Sequence, residues 1–402
     1  FWLSLALFPI GYGFREVMPP ICLIFLGCYY RCDWQNSVLK RLGKTAWLFG
    51  CAAGMTLIGV IFSIHPQSSF LHACMGLNKA YILPFIAMEC ATSLADLKRL
   101  AWACALACFW QGLDGLWQAF TGHDFIMGYG YAGRLTGSLG DYTVGNYLAL
   151  ALVPAFGVWF ILAARLPLSA CAFTAFALLW PAAFLFLGAS SRSAILAVTA
   201  ALGLWAIMRK GIKNLAWLCL PGCAAAIFLF FQAGRFAPQA VISDNRWDLW
   251  RLAWQVFQAH PWLGAGAGQY NAAFRELGLA PVAETITISH PHDLYLDMLY
   301  AHGLIGFGLG MVFLLGFLLW GGLKIWPKIR AADLHTDKGL YWILAAWFWL
   351  GYLAWLVNGI FGHDFYRIWW LALAMCNMGV MIGAVVSGLP KDIDWDRNSR
   401  IS

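Results

Sequence analysis

Charged side chains are scarce in this sequence. Only 11% of the 402 residues are Asp, Glu, Lys or Arg, while 61% are hydrophobic. Soluble domains carry about 25% charged and about 45–50% apolar residues, so this composition leaves too little charge to solvate a globular surface. The shortage excludes a soluble globular protein and indicates a chain whose apolar surface is covered by lipid.

Several motifs that would identify a cofactor or partner are also missing. The 12 cysteines form no CxxC pair and no Cys/His metal spacing, and most lie in apolar stretches, which favours packing roles. The glycine-rich run 264–268 lacks the strand and the Lys-Ser/Thr pair of a P-loop, so it predicts a tight turn. Basic residues form no continuous stripe, so the net charge of +7 does not predict nucleic-acid binding.

The sequence contains many long apolar stretches. A helix needs about 20 apolar residues to cross a bilayer. Twelve stretches approach or reach that length, at 1–13, 17–31, 45–64, 78–96, 99–120, 143–163, 168–188, 193–209, 214–232, 298–320, 339–359 and 366–387. The predicted fold is therefore all-α, a polytopic bundle of about twelve transmembrane helices. Because the chain begins at Phe1 inside an apolar run, we interpret 1–13 as the remnant of a first helix.

The distribution of basic residues predicts one orientation in the membrane. With the N-terminus inside, seventeen of the 26 Lys and Arg residues fall on cytoplasmic loops. The predicted organisation is nine helices over 1–232, one large outer loop over 233–297, three helices over 298–387 and a cytoplasmic tail over 388–402. A loop of this size is too small for a separate catalytic domain, so we expect it to fold onto the membrane helices.

An arginine stands at the head of one apolar helix on the predicted outer face. Arg192 follows Ser190 and Ser191 and precedes a long apolar run. Its planar guanidinium can donate two parallel hydrogen bonds, and the N–H groups of a helix start add attraction for an anion. Arg192 is thus a candidate ligand for phosphate or pyrophosphate. The alternative is an interfacial arginine that reaches the surface by snorkelling.

The outer loop contains an amphipathic helix. Trp247, Trp250, Trp254 and Phe257 are spaced along one helical face, which is typical of a helix lying at the membrane interface. Arg246 opens this segment and is a candidate second cation for the same anion. We predict that Arg251, one turn further on, also binds substrate; the alternative is a packing helix with solvated arginines.

Two histidines flank Pro291 ahead of the next apolar helix. Pro291 suits the first helical position, with Ser289 or His290 as cap, and this would place His292 in the first turn. The helix dipole there disfavours an imidazolium, so His292 is a candidate general base. Asp293 and Asp297, four residues apart, could orient an imidazole or hold a sugar hydroxyl, and His290 is predicted to contact substrate.

Three further polar residues are predicted to bind substrate from other outer loops. They are Arg134 in the loop 122–142, as a cation on the acceptor side, and His363 and Arg367 in the turn between the last two helices. A metal site built from His290, His292, Asp293 and His363 would have poor spacing on one helical face. We therefore predict neither a metal nor a cofactor.

Together these segments resemble the O-antigen ligase and polymerase (WaaL/Wzy) superfamily. The resemblance runs from about Arg134 to Gly306 and is carried, in order, by 134–146, Ser190-Ser191-Arg192, the Trp-rich helix after Arg246, 260–266, 292–296 and 303–306. It implies a GT-C-like, metal-independent glycosyltransferase of the Gram-negative inner membrane, with its active site facing the periplasm. The family often has Asn after this histidine, whereas this chain has Asp293, which leaves the role of position 293 open.

The resemblance also implies substrates and residue roles. The donor would be a glycan linked to undecaprenyl diphosphate, and the acceptor a sugar hydroxyl of lipid A–core. Arg192 and Arg246 would hold the pyrophosphate and His292 would activate the acceptor, with inversion at the anomeric carbon. Besides the phospholipid bilayer, no other partner is predicted.

Other functions compete with ligation. An O-antigen polymerase or a protein O-oligosaccharyltransferase would use the same donor; a single large outer loop and a short tail favour the ligase. A transporter is the alternative from another class. Transporters place polar groups at the bilayer midplane and carry repeats, whereas here the polar residues gather at one face and no repeat is found.

Overall fold

The computed structural model describes residues 1–7, 12–74, 78–130, 133–140, 144–210, 246–279, 290–361, 365 and 368–388. Throughout these ranges the regular structure is helical and no β-strand forms. The α-helices are α1 (Trp2–Leu7), α2 (Tyr12–Asp33), α3 (Val38–Leu42), α4 (Trp47–Ile61), α5 (Pro66–His72), α6 (Asn78–Glu89), α7 (Leu94–Thr121), α8 (Val144–Ala155), α9 (Gly157–Ala163), α10 (Leu168–Gly188), α11 (Arg192–Lys210), α12 (Arg246–Ala259), α13 (Tyr270–Glu276), α14 (Leu294–Arg330), α15 (Asp337–Gly359) and α16 (Ile368–Ser387). The predicted all-α class is confirmed.

Seven helical segments in the described part of the chain are long and apolar enough to cross a membrane. They are Val38–Ile61, Val144–Ala163, Leu168–Gly188, Arg192–Arg209, Leu294–Arg330, Asp337–Gly359 and Trp370–Ser387. This confirms a multi-pass helical membrane protein. The predicted span at 214–232 lies outside the described residues.

Two predicted spans have different bounds in the structure. The stretch 78–96 contains all of α6 and the first residues of α7, because Ser93 begins a new helix with a capping box. Its hydroxyl accepts the N–H of Asp96 and the Asp96 carboxylate accepts the N–H of Ser93. The stretch 298–320 is part of the much longer α14, which the chain interrupts at Gly303.

The bundle has a buried centre and a lipid-compatible periphery. The most apolar windows of α15 and α16 are each 83% buried, whereas that of α10 is only 33% buried. Helices α8, α15 and α16 therefore form the core, and α4, α10 and α11 surround it with apolar outer faces. Such faces need no protein partner in a membrane, since lipid tails are as apolar as the side chains.

Residues 261–266, which overlap the glycine-rich run 264–268, supply backbone hydrogen bonds where α14 is interrupted. Gly303 has φ 61° and ψ −171°, so the helical hydrogen bonds stop there. The segment before and within the glycine run replaces them with four backbone bonds: Ala265 N–H to Tyr300 O (2.8 Å), Gly266 N–H to Ala301 O (3.0 Å), Leu304 N–H to Pro261 O (2.8 Å) and Ile305 N–H to Trp262 O (3.2 Å). The run is therefore a backbone docking segment for a broken helix, which satisfies buried polar groups inside the bundle.

Replacing Gly303 with alanine is expected to destabilise the protein strongly. An added Cβ would lie 2.3 Å from the carbonyl carbon of Trp262, and the positive φ would be strained for any L side chain. We expect a loss of more than about 3 kcal/mol, measured as a lower thermal unfolding midpoint in detergent. Gly308→Ala on the same helix is the matched control, because a Cβ there meets nothing within 4 Å. Equal midpoints for the two variants would contradict this account of the break.

The described part of the segment between α11 and α14 packs on the first turns of α14. Leu249, Leu252 and Val256 of α12 form a small apolar core with α13 and with Tyr300 and Ala301 of α14. The Tyr270 hydroxyl of α13 donates to the carbonyl of Leu249 at 2.6 Å. The tryptophan face of α12 points outward, with Trp247 57% and Trp254 47% exposed. This is the arrangement expected of a helix at the membrane interface.

Candidate active site

A cavity of about 250 Å³ lies where the starts of α11 and α12 meet. It is lined by Arg192, Ser193, Leu196, Arg246, Trp247, Trp250 and Phe361. The structure thus brings together the two arginines that the sequence singled out in separate segments. The Trp250 and Phe361 rings are 5.8 Å apart and form an aromatic wall beside them. Two guanidinium groups next to an apolar wall suit an anion that carries an apolar chain.

Arg192 is held in place by a clamp on the two serines that flank it. The Ser191 and Ser193 hydroxyls both donate to Asn146 Oδ1 of α8, at 2.8 Å and 3.4 Å. Asn146 is buried, and Gly145 gives Ser191 the room it needs, because a Cβ on Gly145 would lie 2.7 Å from the Ser191 Cβ. The start of α11 is therefore fixed to α8 on both sides of Arg192. Sequence reasoning missed this role of Asn146, since nothing local connects it to the serines.

Arg134 lies beside the segment that leads to Arg192. Its neighbour Leu135 donates its backbone N–H to the carbonyl of Gly188 at 3.3 Å. The loop is fixed by α7, where Gln118 Oε1 accepts the N–H groups of residues 136 and 137 at 2.8 Å and 3.0 Å. Arg134 is half-buried and is not among the residues that line the cavity.

The two histidines that flank Pro291 contact each other. His290 Nε2 lies 3.1 Å from His292 Nδ1, so one hydrogen bond joins the rings. His290 is buried, whereas His292 is partly accessible and has a positive φ of 56°. Histidine is one of the few residue types enriched in that left-handed region. The two rings, which are two positions apart in sequence, therefore form one hydrogen-bonded pair.

The predicted helix start at Pro291 is wrong. Helix α14 begins at Leu294 and its cap is Asp293, whose carboxylate accepts the N–H groups of Tyr295 (2.8 Å) and Leu296 (2.9 Å). A carboxylate at this position satisfies two of the exposed N–H groups at the helix start. His292 therefore precedes the helix, and the dipole argument for its first-turn position does not apply.

The cap explains why Asp293 stands where the related family often has Asn. Both side chains offer an oxygen that accepts N–H groups, and both are strong N-caps. Burial raises the pKa of Asp293 to about 6, against the lowering effect of the two backbone hydrogen bonds. Asn would give the same hydrogen bonds without a buried charge.

Asp293→Asn is expected to keep the fold and to stabilise it more as the pH rises. The folded pKa of Asp293, about 6, lies above the usual 3.8. The stability that the wild-type protein gains from a protonated Asp293 is therefore complete below pH 3.8 and is lost as the pH rises past 6. The difference in unfolding midpoint between the variant and wild type should grow between pH 5 and pH 7.5. Asp293→Ala removes the cap and should cost about 1 kcal/mol. A pH-independent difference for the Asn variant would contradict a raised pKa.

The histidine pair is connected to the cavity through the end of α15. Tyr295 donates its hydroxyl to the carbonyl of Leu356 at 2.9 Å, and Gly359 leaves room for Leu294. Phe361, two residues after α15, lines the cavity. The histidines themselves are not among the residues that line the arginine cavity.

The remaining predicted residues have other surroundings or lie outside the described residues. Arg251 pairs with Asp248 one turn earlier at 2.7 Å, on an exposed side of α12, and does not line the cavity. Asp297 is buried and its Oδ2 accepts the N–H of Phe365 at 3.2 Å, which fixes the chain after α15. His363 and Arg367 fall outside the described residues. Among the residues that the structure describes, no three His, Cys, Asp or Glu side chains cluster as a metal site.

The chain also matches a known family over a segment that supplies six of the seven residues lining this cavity. Residues 176–311 match the O-antigen ligase family. The matched O-antigen ligase segment is about a third of the chain and includes Arg192, Arg246 and His292. It confirms the resemblance and supports glycosyl transfer of the ligase or polymerase type in an O-antigen pathway. No curated protein matches the chain significantly.

Proposed function

We propose that this protein is an O-antigen ligase that transfers a glycan from undecaprenyl diphosphate to a sugar hydroxyl of lipid A–core. The observation that carries the proposal is the cavity in which Arg192 and Arg246 meet beside Trp250 and Phe361. Such a cavity can hold a diphosphate between the guanidinium groups, with the first part of the polyprenyl chain against the aromatic wall.

The reaction follows from these groups. The acceptor oxygen attacks the anomeric carbon of the donor sugar, and the bond from that carbon to the diphosphate oxygen breaks with inversion. His292 takes the proton of the acceptor hydroxyl. Arg192 and Arg246 stabilise the negative charge that develops on the departing undecaprenyl diphosphate, a role that a metal ion fills in other transferases. This is the chemistry of a metal-independent, GT-C-like enzyme.

The ends of α11 and α14 support a site that faces the periplasm. Both helices begin near the site and end at the opposite side of the bundle, where Arg209 donates to the carbonyls of Ile329 (3.1 Å) and Ala332 (2.7 Å). Lys324, Lys328 and Arg330 belong to the same end. Basic residues concentrate on the cytoplasmic side of membrane proteins, so the arginine cavity belongs to the other side of a bacterial inner membrane.

The proposal is tested by transfer with purified protein. Undecaprenyl-diphosphate glycan and lipid A–core are mixed with the protein in detergent, with chelator and no added divalent metal. A glycan attached to lipid A–core is the expected product. A longer lipid-linked glycan would replace the ligase with a polymerase. A donor that remains unconsumed with and without metal would overturn glycosyl transfer and favour a transporter.

A further inference from the structure

The bond between His290 and His292 restricts the protons that the two rings can carry. A hydrogen bond between two imidazole nitrogens needs one protonated nitrogen and one bare nitrogen. The bond joins His290 Nε2 to His292 Nδ1 at 3.1 Å. The proton therefore sits either on His292 Nδ1, with His290 as acceptor, or on His290 Nε2, with His292 as acceptor.

Only one of these two arrangements makes His292 a base. A neutral His292 that accepts at Nδ1 must carry its own proton on Nε2, and that nitrogen cannot then take a proton from a hydroxyl. A neutral His292 that donates from Nδ1 has a bare Nε2. We infer that His290 is a positioning residue that accepts this bond, so that the Nε2 atom of His292 is the atom that deprotonates the acceptor; the inference rests on the proposed glycosyl transfer.

Burial assigns the two roles to the two rings. His290 is only 6% exposed, so it is shielded from a bulky acceptor, whereas His292 is partly accessible. In catalytic triads a carboxylate usually orients the basic imidazole. Here Asp293, the nearest carboxylate in sequence, caps α14 with its Oδ1 atom, and the ring that bonds to His292 Nδ1 is that of His290. His290 therefore fills the orienting position.

The proton balance of the step is simple. When the acceptor hydroxyl attacks, its proton moves to His292 Nε2 and His292 becomes an imidazolium. Its Nδ1–H then donates to the neutral His290 in a charge-assisted bond, which is stronger than the bond between neutral rings. His290 stays neutral throughout and passes no proton on. Release of the proton to water restores His292 for the next transfer.

The test compares His290→Gln, His290→Ala and His292→Ala, alone and combined, in the transfer assay. Alanine at 290 should lower kcat by about 10–100-fold with little change in KM for the donor. The glutamine carbonyl can accept from His292 Nδ1, so His290→Gln should recover most of the rate. Because His290 acts through His292, the double alanine variant should be no slower than His292→Ala alone.

The outcomes separate this inference from the proposed function. If wild-type protein does not consume the donor, the proposed function fails before the variants are compared. If wild-type protein is active but His290→Ala slows the His292→Ala background by the same factor as wild type, His290 acts independently and the inference is overturned. A His290→Gln variant that is folded but as slow as His290→Ala would overturn it as well. Unfolding midpoints of each variant show which are folded.

Discussion

Alanine at Arg192 or Arg246 is expected to lower kcat for glycan transfer by about 10²–10³-fold. Both arginines line the same cavity, and in the proposed mechanism both stabilise the charge that develops on the leaving diphosphate. Loss of one preorganised donor to a developing anion typically costs a factor of this size. Lysine at either position keeps the charge but loses the planar fork, so we expect only partial recovery. The measurement is the initial rate of transfer at saturating donor.

Arg251→Ala is the matched control for these variants. Arg251 is on the same helix as Arg246, but its guanidinium pairs with Asp248 at 2.7 Å and it does not line the cavity. Exposed pairs of this kind contribute little to stability, so the variant should fold and keep its rate within about threefold. A loss as large as that of Arg246→Ala would mean that the substrate extends along α12, as the sequence alone predicted. Full activity in both Arg192→Ala and Arg246→Ala would contradict the proposal that these arginines bind the diphosphate.

His292→Ala is expected to have the second large effect, a fall in kcat of about 10²–10⁴-fold. This is the range that a positioned general base contributes. The arginine cavity stays intact in this variant, so binding of a non-transferable undecaprenyl diphosphate analogue should be unchanged. The combination of lost turnover with retained binding separates His292 from the arginines, whose loss should weaken binding of the same analogue.

The control for His292 is His260, another histidine in the segment between α11 and α14. His260 follows the end of α12, where its N–H donates to the carbonyl of Val256. Alanine there removes an imidazole of the same size at a residue that does not line the cavity, so transfer should continue at close to the wild-type rate. A His292→Ala variant that is folded and equally active would leave the acceptor without a base in this mechanism.

The membrane class was predictable from the sequence because it depends on local patterns. Apolar stretches long enough to cross the bilayer as helices indicate which segments lie in lipid. These stretches predicted the helices α10, α11 and α15 close to their observed bounds. Arg192 and Arg246 stood out for a similar reason. An arginine at the head of an apolar or Trp-rich helix is visible in the few residues around it.

The broken helix could not be predicted with the same rules. Gly303 lies in an apolar run that reads as continuous helix, and isolated glycines are tolerated in membrane helices. The break exists because 261–266 supplies backbone partners on both sides of it. Likewise, Pro291 is a reasonable first helical residue by local preference. The helix begins instead at Leu294, because the carboxylate of Asp293 accepts two of the N–H groups at the helix start.

The amino-acid sequence alone was enough to predict a multi-pass helical protein, the segments that carry cations and histidines, and the family that the chain resembles. The folded structure was needed to find that Arg192 and Arg246 share a cavity, that Asn146 holds the serines beside Arg192, and that Asp293 caps α14. The two kinds of feature differ in how far apart along the chain their interacting residues lie. Apolar periodicity and helix signals act over a few residues, whereas a site is assembled from hydrogen bonds and packing between helices that are far apart in the chain.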